Sequence, residues 1–570
     1  MGEVDTVDTK QARLSLGSIE SLRPKVSLEP AYVRAWLEHL GGKTVVFFNN
    51  GKMSPEYVVY RDFYPVVADL FQTLQVTCHL VTRHMLSEYD EAIEGQLLGE
   101  IRSHRPDGVV VGIGDAGATY RTCLLTRRLI KEGLPCVMVC NDLGIRLAQT
   151  MASRSMPNLP IVRIPARSAR LTADVLRALS SEIADRLRTG PSPAETTGER
   201  DWARYQQLTV EGELHAADGD GGVTFRPTST RSDFSEALLD LLSEDRLGDG
   251  LPVVVPTVEK VSRMLGGSPE PPETIVAPSV GPVFANVTVK DIAVNAVLAG
   301  CTPDCFPIVL AAFKAMAQER YALSWASITT HPSGNMVLVS GPLADEVGVA
   351  SGMACLGPGF RSNATIGRAI SLTVINTVGA VPGKGTLSVL GSPAQYSYCF
   401  AENIAESPWP GLHEDLCDKD STIVVAHRVE GPRNVLEHLA KEPELILETV
   451  ARSATSPGSN NAYFPAELIV ILNPEHAWLI ADRGWPKADV QRYLYEKIRN
   501  KKQDLLGRGV LASRPKWMSA LADIPVVERP EDIWVVVAGG WGPQSMVAVP
   551  WGWSRLCWER VTAPASGRVR

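Results

Sequence analysis

The sequence predicts an α/β protein, with a doubly wound parallel sheet at the N-terminus and a larger α/β or α+β domain behind it. Three observations predict this. Short β-branched runs alternate with amphipathic helical stretches over residues 43–190. A Pro-, Gly- and acid-rich stretch at 191–232 interrupts the alternation and reads as a linker. From 233 to 560 the chain turns Gly-rich, with longer helical patterns. Continuous apolar strands alternating with amphipathic helices imply a parallel sheet covered on both faces.

In order, residues 1–42 read as a polar arm followed by a helix over 30–40. Strands are expected at 43–48, 76–81, 107–111, 136–140 and Ile161–Ile164. Helices are expected at 57–74, up to His104, over Thr119–Lys131, at 142–152 and at 171–187. In the second domain, helices are expected at 234–242, from Val258, over Val289–Ala299, at 307–320 and at 365–378. Leu323–Ile328 reads as a strand. Residues 464–560 read as a smaller lobe, with strands Leu468–Leu472 and Ile533–Val537 around a helix at 487–501.

Composition narrows the partners. The formal net charge is −8, which disfavours nucleic acid and anionic membranes and leaves a small molecule or a protein. No apolar window is long enough for a transmembrane helix. The first ten residues are polar and acidic, so no secretory leader is expected. Ten cysteines in 570 residues, none in Cys-x-x-Cys spacing, fit free thiols in a reducing cytoplasm. Self-association into a homo-oligomer stays open.

Ligands of parallel sheets sit beyond the carboxyl ends of the strands. Those ends carry Asn49, Asn50 and the turn Gly112-Ile-Gly114-Asp115-Ala-Gly117. The turn has the G-x-G-x-x-G spacing of a dinucleotide loop. It follows the third strand rather than the first, and Asp115 stands where a pyrophosphate would lie. NAD(P) binding is therefore an alternative beside two others: a tight turn, or another ligand at the helix start near Thr119. No cofactor is assigned, and Cys301, Asp304 and Cys305 lack further ligands at metal-site spacing, so no metal is expected.

The second domain offers further candidates. Cys355 lies in a Gly/Pro loop leading to a helix, with Arg361 before its start as an anion contact and Ser362 or Asn363 as its N-cap. The stretch Tyr396–His413 holds Cys399, Glu402, Asn403 and Glu406; the two glutamates, if helical, share a face and split their pKa values. His331 stands before Pro332 as a candidate acid/base. Five tryptophans, Trp534, Trp541, Trp551, Trp553 and Trp558, crowd the C-terminus around Gly539–Gly542 and suit a pocket wall, a core cap or an interface.

The run Gly112-Ile-Gly-Asp-Ala-Gly-Ala-Thr119, with Gly133-Leu-Pro-Cys-Val-Met-Val and the strand end Asn49-Asn50-Gly51, resembles the UGSC-like domain. That domain is distantly similar to the substrate-handling selenoprotein of glycine and betaine reductases. The second part, especially 357–368 and 397–403, resembles a companion domain often fused to it. The resemblance implies a selenocysteine or cysteine where Ala116 stands and a second cysteine where Thr119 stands, so the motif here is degenerate: Ala116-Gly117-Ala118-Thr119. Alanine is no nucleophile, and a threonine hydroxyl needs an adjacent base.

These readings lead to an expected enzyme acting on a small polar or anionic substrate at an interdomain cleft. Asn49, Asn50, Gly114, Asp115, Gly117, Thr119, Arg361, Asn363 and Asn403 would bind it. Cys355, Cys399, His331 and Glu402 would react, in carbon–heteroatom transfer or cleavage of sulfur type by family analogy. The other reading is a non-catalytic binding or assembly protein that has lost its redox pair.

One prediction concerns redox. Ligand binding titrated against a glutathione series should show no midpoint attributable to the 112–119 loop. A reversible transition that disappears in Cys123→Ser would restore a thiol role there.

Overall fold

The structure is a computed structural model. It describes residues 13–14, 36–50, 63–82, 91–114, 118–155, 159–165, 172–191, 212–216, 223–227, 239, 242–243, 247–508, 514–552 and 554–562. Asp115, Ala116, Gly117 and Trp553 lie outside these residues, as do most of the helix expected at 234–242 and residues 30–35 of the one expected at 30–40. Residues 36–40 are not helical; Leu37 and Leu40 pack under the first domain's sheet.

Five strands form the first domain's sheet: β1 Thr44–Asn49, β2 Thr77–Thr82, β3 Gly108–Gly114, β4 Cys136–Asn141 and β5 Ile161–Ile164. Helices α1 Phe63–Thr73, α2 Glu91–Ser103, α3 Thr119–Lys131, α4 Ile145–Ser155 and α5 Ala173–Thr189 alternate with them. All pairings are parallel, in the order β2-β1-β3-β4-β5. This doubly wound order reverses between β1 and β3, and the crevice beyond their carboxyl ends is the topological switch point. Every residue of β1 after Thr44, and all of β3 and β4, is buried, because helices cover both faces. Burying each such Val or Ile contributes roughly 1.5–3 kcal/mol. A small antiparallel sheet joins Arg13–Leu14, Val223–Pro227 and Gly212–Ala216.

The second domain opens with α6 Val258–Leu265, the hairpin β6 Ile275–Val280 and β7 Ala285–Thr288, and then α7 Val289–Ala299, α8 Phe306–Ala317 and α9 Leu323–Ile328. Next come β8 Gly334–Ser340, α10 Arg361–Asn376, β9 Cys399–Ala401, β10 Ile423–Val429 and β11 Arg433–Leu436. The chain finishes with α11 Pro443–Ala454, β12 Leu468–Leu472, α12 Pro474–Ala481, α13 Lys487–Lys497, β13 Ile533–Val537, β14 Gln544–Ala548 and β15 Cys557–Arg560. One mixed sheet has the order β9-β8-β10-β15, and the other β11-β14-β12-β13.

Strand alternation stacks these into four layers. Val337 and Val339 of β8 face α7, α8 and α10, while Met336 and Leu338 face Ile469 and Ile471 of the other sheet. Leu468, Val470 and Leu472 of β12 face α11, α12 and α13. The segment 464–560 therefore supplies three strands of one sheet and the last strand of the other.

Two local expectations are corrected. Leu323–Ile328 is a helix, not a strand: Leu323, Ala326 and Ser327 are buried at helical spacing, while Ser324 and Trp325 are half-exposed. A six-residue apolar run carries too few periods to separate the two. Helix α10 begins at Arg361 with Phe360 at its N-cap, so neither Ser362 nor Asn363 caps it.

The domains meet at the start of α3. The Tyr120 ring meets Trp325 edge-on at 4.7 Å and stacks over Phe284 at 6.2 Å. Arg121 lies over the Trp325 ring and Arg127 over Phe284. Ile328 completes the first domain's core. Tyr120→Ala should therefore cost about 3 kcal/mol and separate the unfolding of the two domains in urea; a single transition at the wild-type midpoint would show that the joint does not depend on this ring.

Candidate functional site

The switch-point crevice is built from backbone. Asn50 N donates to Gly112 O at 2.9 Å, and its side chain donates to Ile113 O at 2.6 Å and Thr122 Oγ1 at 3.3 Å. Asn49 and Asn50 are both buried. These bonds lock the ends of β1 and β3 to the first turn of α3. The motif glycines are there for space. A Cβ on Gly112 would lie 2.7 Å from the Tyr64 hydroxyl, and one on Gly114 would lie 2.5 Å from Met138 Cε. Neither glycine needs positive φ, so close packing against β4 and α1 explains them without a pyrophosphate.

Thr119 begins α3, whose N-cap, Ala118, makes no side-chain capping bond. The Thr119 hydroxyl is fully buried and has no hydrogen-bond partner. It sits against Gly144, where a Cβ would lie 2.0 Å from its Oγ1, 3.0 Å from Cys140 Sγ and 3.1 Å from Gly114 O. A helix start leaves up to four backbone N–H groups without intrahelical partners and carries partial positive charge. A buried hydroxyl without a partner costs roughly 1–3 kcal/mol, a cost this position carries.

The second-domain candidates gather elsewhere. Strands β8, β9, β12 and β13 end together, Asn403 N bonding Val537 O at 2.8 Å across the two sheets. Asn403 Nδ2 donates to Gly539 O at 3.0 Å, and Gly539 N donates to Ser351 O at 2.7 Å. Asn363 is buried and pins the neighbouring loop, accepting from Ala350 N at 2.8 Å and donating to the Ala350 and Cys355 carbonyls, each at 3.0 Å. A cavity of about 340 Å³ opens beside it, lined by Asp345, Gly348–Met353 and Phe360. Arg361 is exposed and donates to Gly300 O at 3.1 and 2.9 Å, capping the end of α7. Glu402 and Glu406 share no helix: Glu402 follows β9, and Glu406 ends a short 3-10 turn, where it accepts from Trp541 Nε1 at 3.0 Å.

Glu402 is buried and accepts from Ser340 Oγ at 2.6 Å and Leu412 N at 2.8 Å. Burial pushes its carboxyl up, against the pull of these donors, Lys487 and His413. Burial also holds the Cys399 and Cys123 thiols well above the usual range, raises Cys355 and lifts Cys301 to about 12. Such thiols are poor nucleophiles at neutral pH.

His331 is at the other end of β8. Its Nε2 lies 3.3 Å from Glu430 Oε1, and Arg433 donates to Glu430 Oε2 at 2.6 Å. Burial pushes Glu430 up, but bonds from His331 and Arg433 hold it below the usual carboxylate range. Seven strand residues separate His331 from Glu402, roughly 20 Å. The structure thus brings Cys355, Glu402, Asn363 and Asn403 to one end, and leaves His331 nearer the interdomain joint.

Sequence reasoning missed Ser340 and did not single out His413. Ser340 Oγ lies 3.0 Å from His413 Nδ1 and accepts from His413 N at 3.1 Å. Ser340 stands 62 residues from Glu402 and 73 from His413, too far for any spacing rule. Among the described residues no three His, Cys, Asp or Glu side chains cluster as metal ligands, and none of their helices is long and apolar enough to cross a membrane.

Residues 25–190 match the family model described as the UGSC family. No curated protein matches the chain.

All ten cysteines are free, and only Cys78 and Cys417 are less than fully buried. Burial lifts Cys78 to about 11. Iodoacetamide at neutral pH should therefore label Cys417 first, with the rest slow; rapid labelling of Cys355 or Cys399, read by peptide mass mapping, would contradict the burial.

Proposed function

With a UGSC-family domain at its N-terminus, we propose that this chain is an enzyme for a small polar or anionic molecule bound at the switch-point crevice, where α3 meets the second domain. The reaction is carbon–heteroatom transfer or cleavage, of sulfur type by family analogy, using acid–base groups rather than a dithiol cycle. The observation that carries this reading is the buried, unpartnered Thr119 hydroxyl at an uncapped helix start. Phe284 and Trp325, packed on neighbouring Tyr120, support a site at the joint, from which a bound molecule loses water. His331 is the candidate acid/base nearest that joint. Free cysteines support a reducing, cytoplasmic setting, and the net charge of −8 supports a small molecule over nucleic acid.

A second reading, a binding protein without catalysis, is favoured by Ala116 and Thr119 standing at both thiol positions. His331→Ala separates the two. It should abolish turnover and spare binding if the chain is an enzyme; no conversion by wild type favours binding alone, and wild-type turnover in the variant would remove His331 from the site.

The test of the site is Thr119→Val, which keeps the shape and removes the hydroxyl. Without ligand its melting temperature should match or slightly exceed wild type, because a buried unpaired group is removed. Inorganic phosphate, sulfite and acetate serve as probes: at least one should raise the wild-type melting temperature and fail to raise that of the variant. Equal shifts in both proteins, or a strongly destabilised variant, would sink the assignment.

A further inference from the structure

Three buried side chains near the carboxyl ends of β8 and β9 have no part in that reading. Ser340 closes β8, Glu402 follows β9, and His413 lies in the short helix Leu412–Leu416. Their exposures are 0, 3 and 4%, so bulk water does not complete their bonding. Ser340 Oγ stands between the other two, 2.6 Å from Glu402 Oε2 and 3.0 Å from His413 Nδ1. Two backbone amides fix the geometry: Leu412 N on Glu402 Oε2 at 2.8 Å and His413 N on Ser340 Oγ at 3.1 Å.

We propose that Glu402, Ser340 and His413 form a proton relay, separate from the N-terminal crevice, in which Glu402 holds the proton at rest. Two complete bonding patterns fit the same heavy atoms. In one, which reverses the Ser340-to-Glu402 donation that an ionised Glu402 receives, Glu402 Oε2–H donates to Ser340 Oγ and the Ser340 hydroxyl donates to His413 Nδ1. In the other, His413 Nδ1–H donates to Ser340 Oγ and the hydroxyl donates to Glu402 Oε2. Passage between them moves one proton from Glu402 to Ser340 as the serine's own proton moves to His413. Ser340 ends as it began, and the pair becomes carboxylate and imidazolium.

Glu402 Oε1 decides which pattern rests. It is buried and has no hydrogen-bond partner. A carboxylate would leave half its charge bare on that oxygen, whereas a neutral acid leaves only a carbonyl there. The charged groups facing the relay oppose this only in part. Lys487 at the start of α13 draws the ionised form, but its ammonium is already bonded to Pro410 O and, at 3.0 Å, to Asp415 Oδ2. Glu414 is turned to Gly411 N at 3.1 Å. The relay sits beside the cavity: Ala401 N holds Ala350 O, part of the cavity wall, at 3.1 Å, one residue before Glu402. A buried acid kept neutral at working pH is what general-acid chemistry on a guest of that cavity requires.

Infrared difference spectra of wild type against Glu402→Gln read the proton directly. A protonated-carboxyl band should be present at neutral pH and absent from the variant. As pH rises, the band should disappear. In Ser340→Ala, which removes the hydroxyl bonded to Glu402 Oε2, the band should change frequency and its pH midpoint should move. Stability supplies a second readout, independent of whether Ser340→Ala folds. Glu402 has a folded pKa above its unfolded one, so its contribution is present at acid pH and lost as pH rises through the folded value. Wild-type stability should fall across that window, and Glu402→Gln should stay flat. No protonated band at neutral pH, or a band unchanged in frequency and midpoint by Ser340→Ala, overturns the relay.

Discussion

Strand β8 is the constraint on which the second domain depends. Its seven residues, all buried, pair with β10 from Gly334↔Val429 to Ser340↔Ile423 and with β9 on the other side. Because strand side chains alternate, β8 must satisfy two apolar layers at once, helices on one face and the second sheet on the other. Even its first residue has no room: a Cβ on Gly334 would lie 2.3 Å from Ala394 O. A one-residue slip would turn Val337 and Val339 away from the helices and Ser340 away from Glu402.

The two ends of this strand have different chemistry. The Gly334 end carries charge: Arg428, bonded to Ser333 and Asn335, and the His331–Glu430–Arg433 cluster. At the Ser340 end the buried carboxyl of Glu402 is bonded only to a hydroxyl and an amide. The same rigid strand holds both sets in place and keeps them apart. A single catalytic cleft containing both His331 and Glu402 is therefore excluded by strand length alone.

In the first domain, tight packing explains features that spacing assigns to a nucleotide. Gly112, Gly114 and Gly144 each lack room for a Cβ, and the atoms they would strike belong to Tyr64, Met138 and Thr119. Their close approach brings α3 down onto β3 and β4 and leaves the Thr119 hydroxyl without a partner. Tyr120, the next residue, joins the second domain through Phe284 and Trp325. Crevice and joint are thus set by two adjacent residues of one helix.

Read alone, the sequence determined the parallel sheet and its helices, because five β-branched runs alternate with amphipathic segments at covalently enforced periods. Thr119–Lys131 and Ile161–Ile164 occur with the bounds that periodicity predicts. It also placed Asn49, Asn50 and Gly112–Gly114 at the carboxyl ends of strands, where the structure has them. Leu323–Ile328 went the other way, for six residues hold under two helical turns and only burial against α3's domain decides their state. Tertiary structure alone decided that Ser340 meets Glu402 and His413, because the contact spans 62 and 73 residues and arises from sheet register. It also decided that Asn363 pins a loop and that Arg361 bonds the end of α7. Local spacing reports which faces a segment must bury; which polar groups those faces bring together depends on how whole sheets stack.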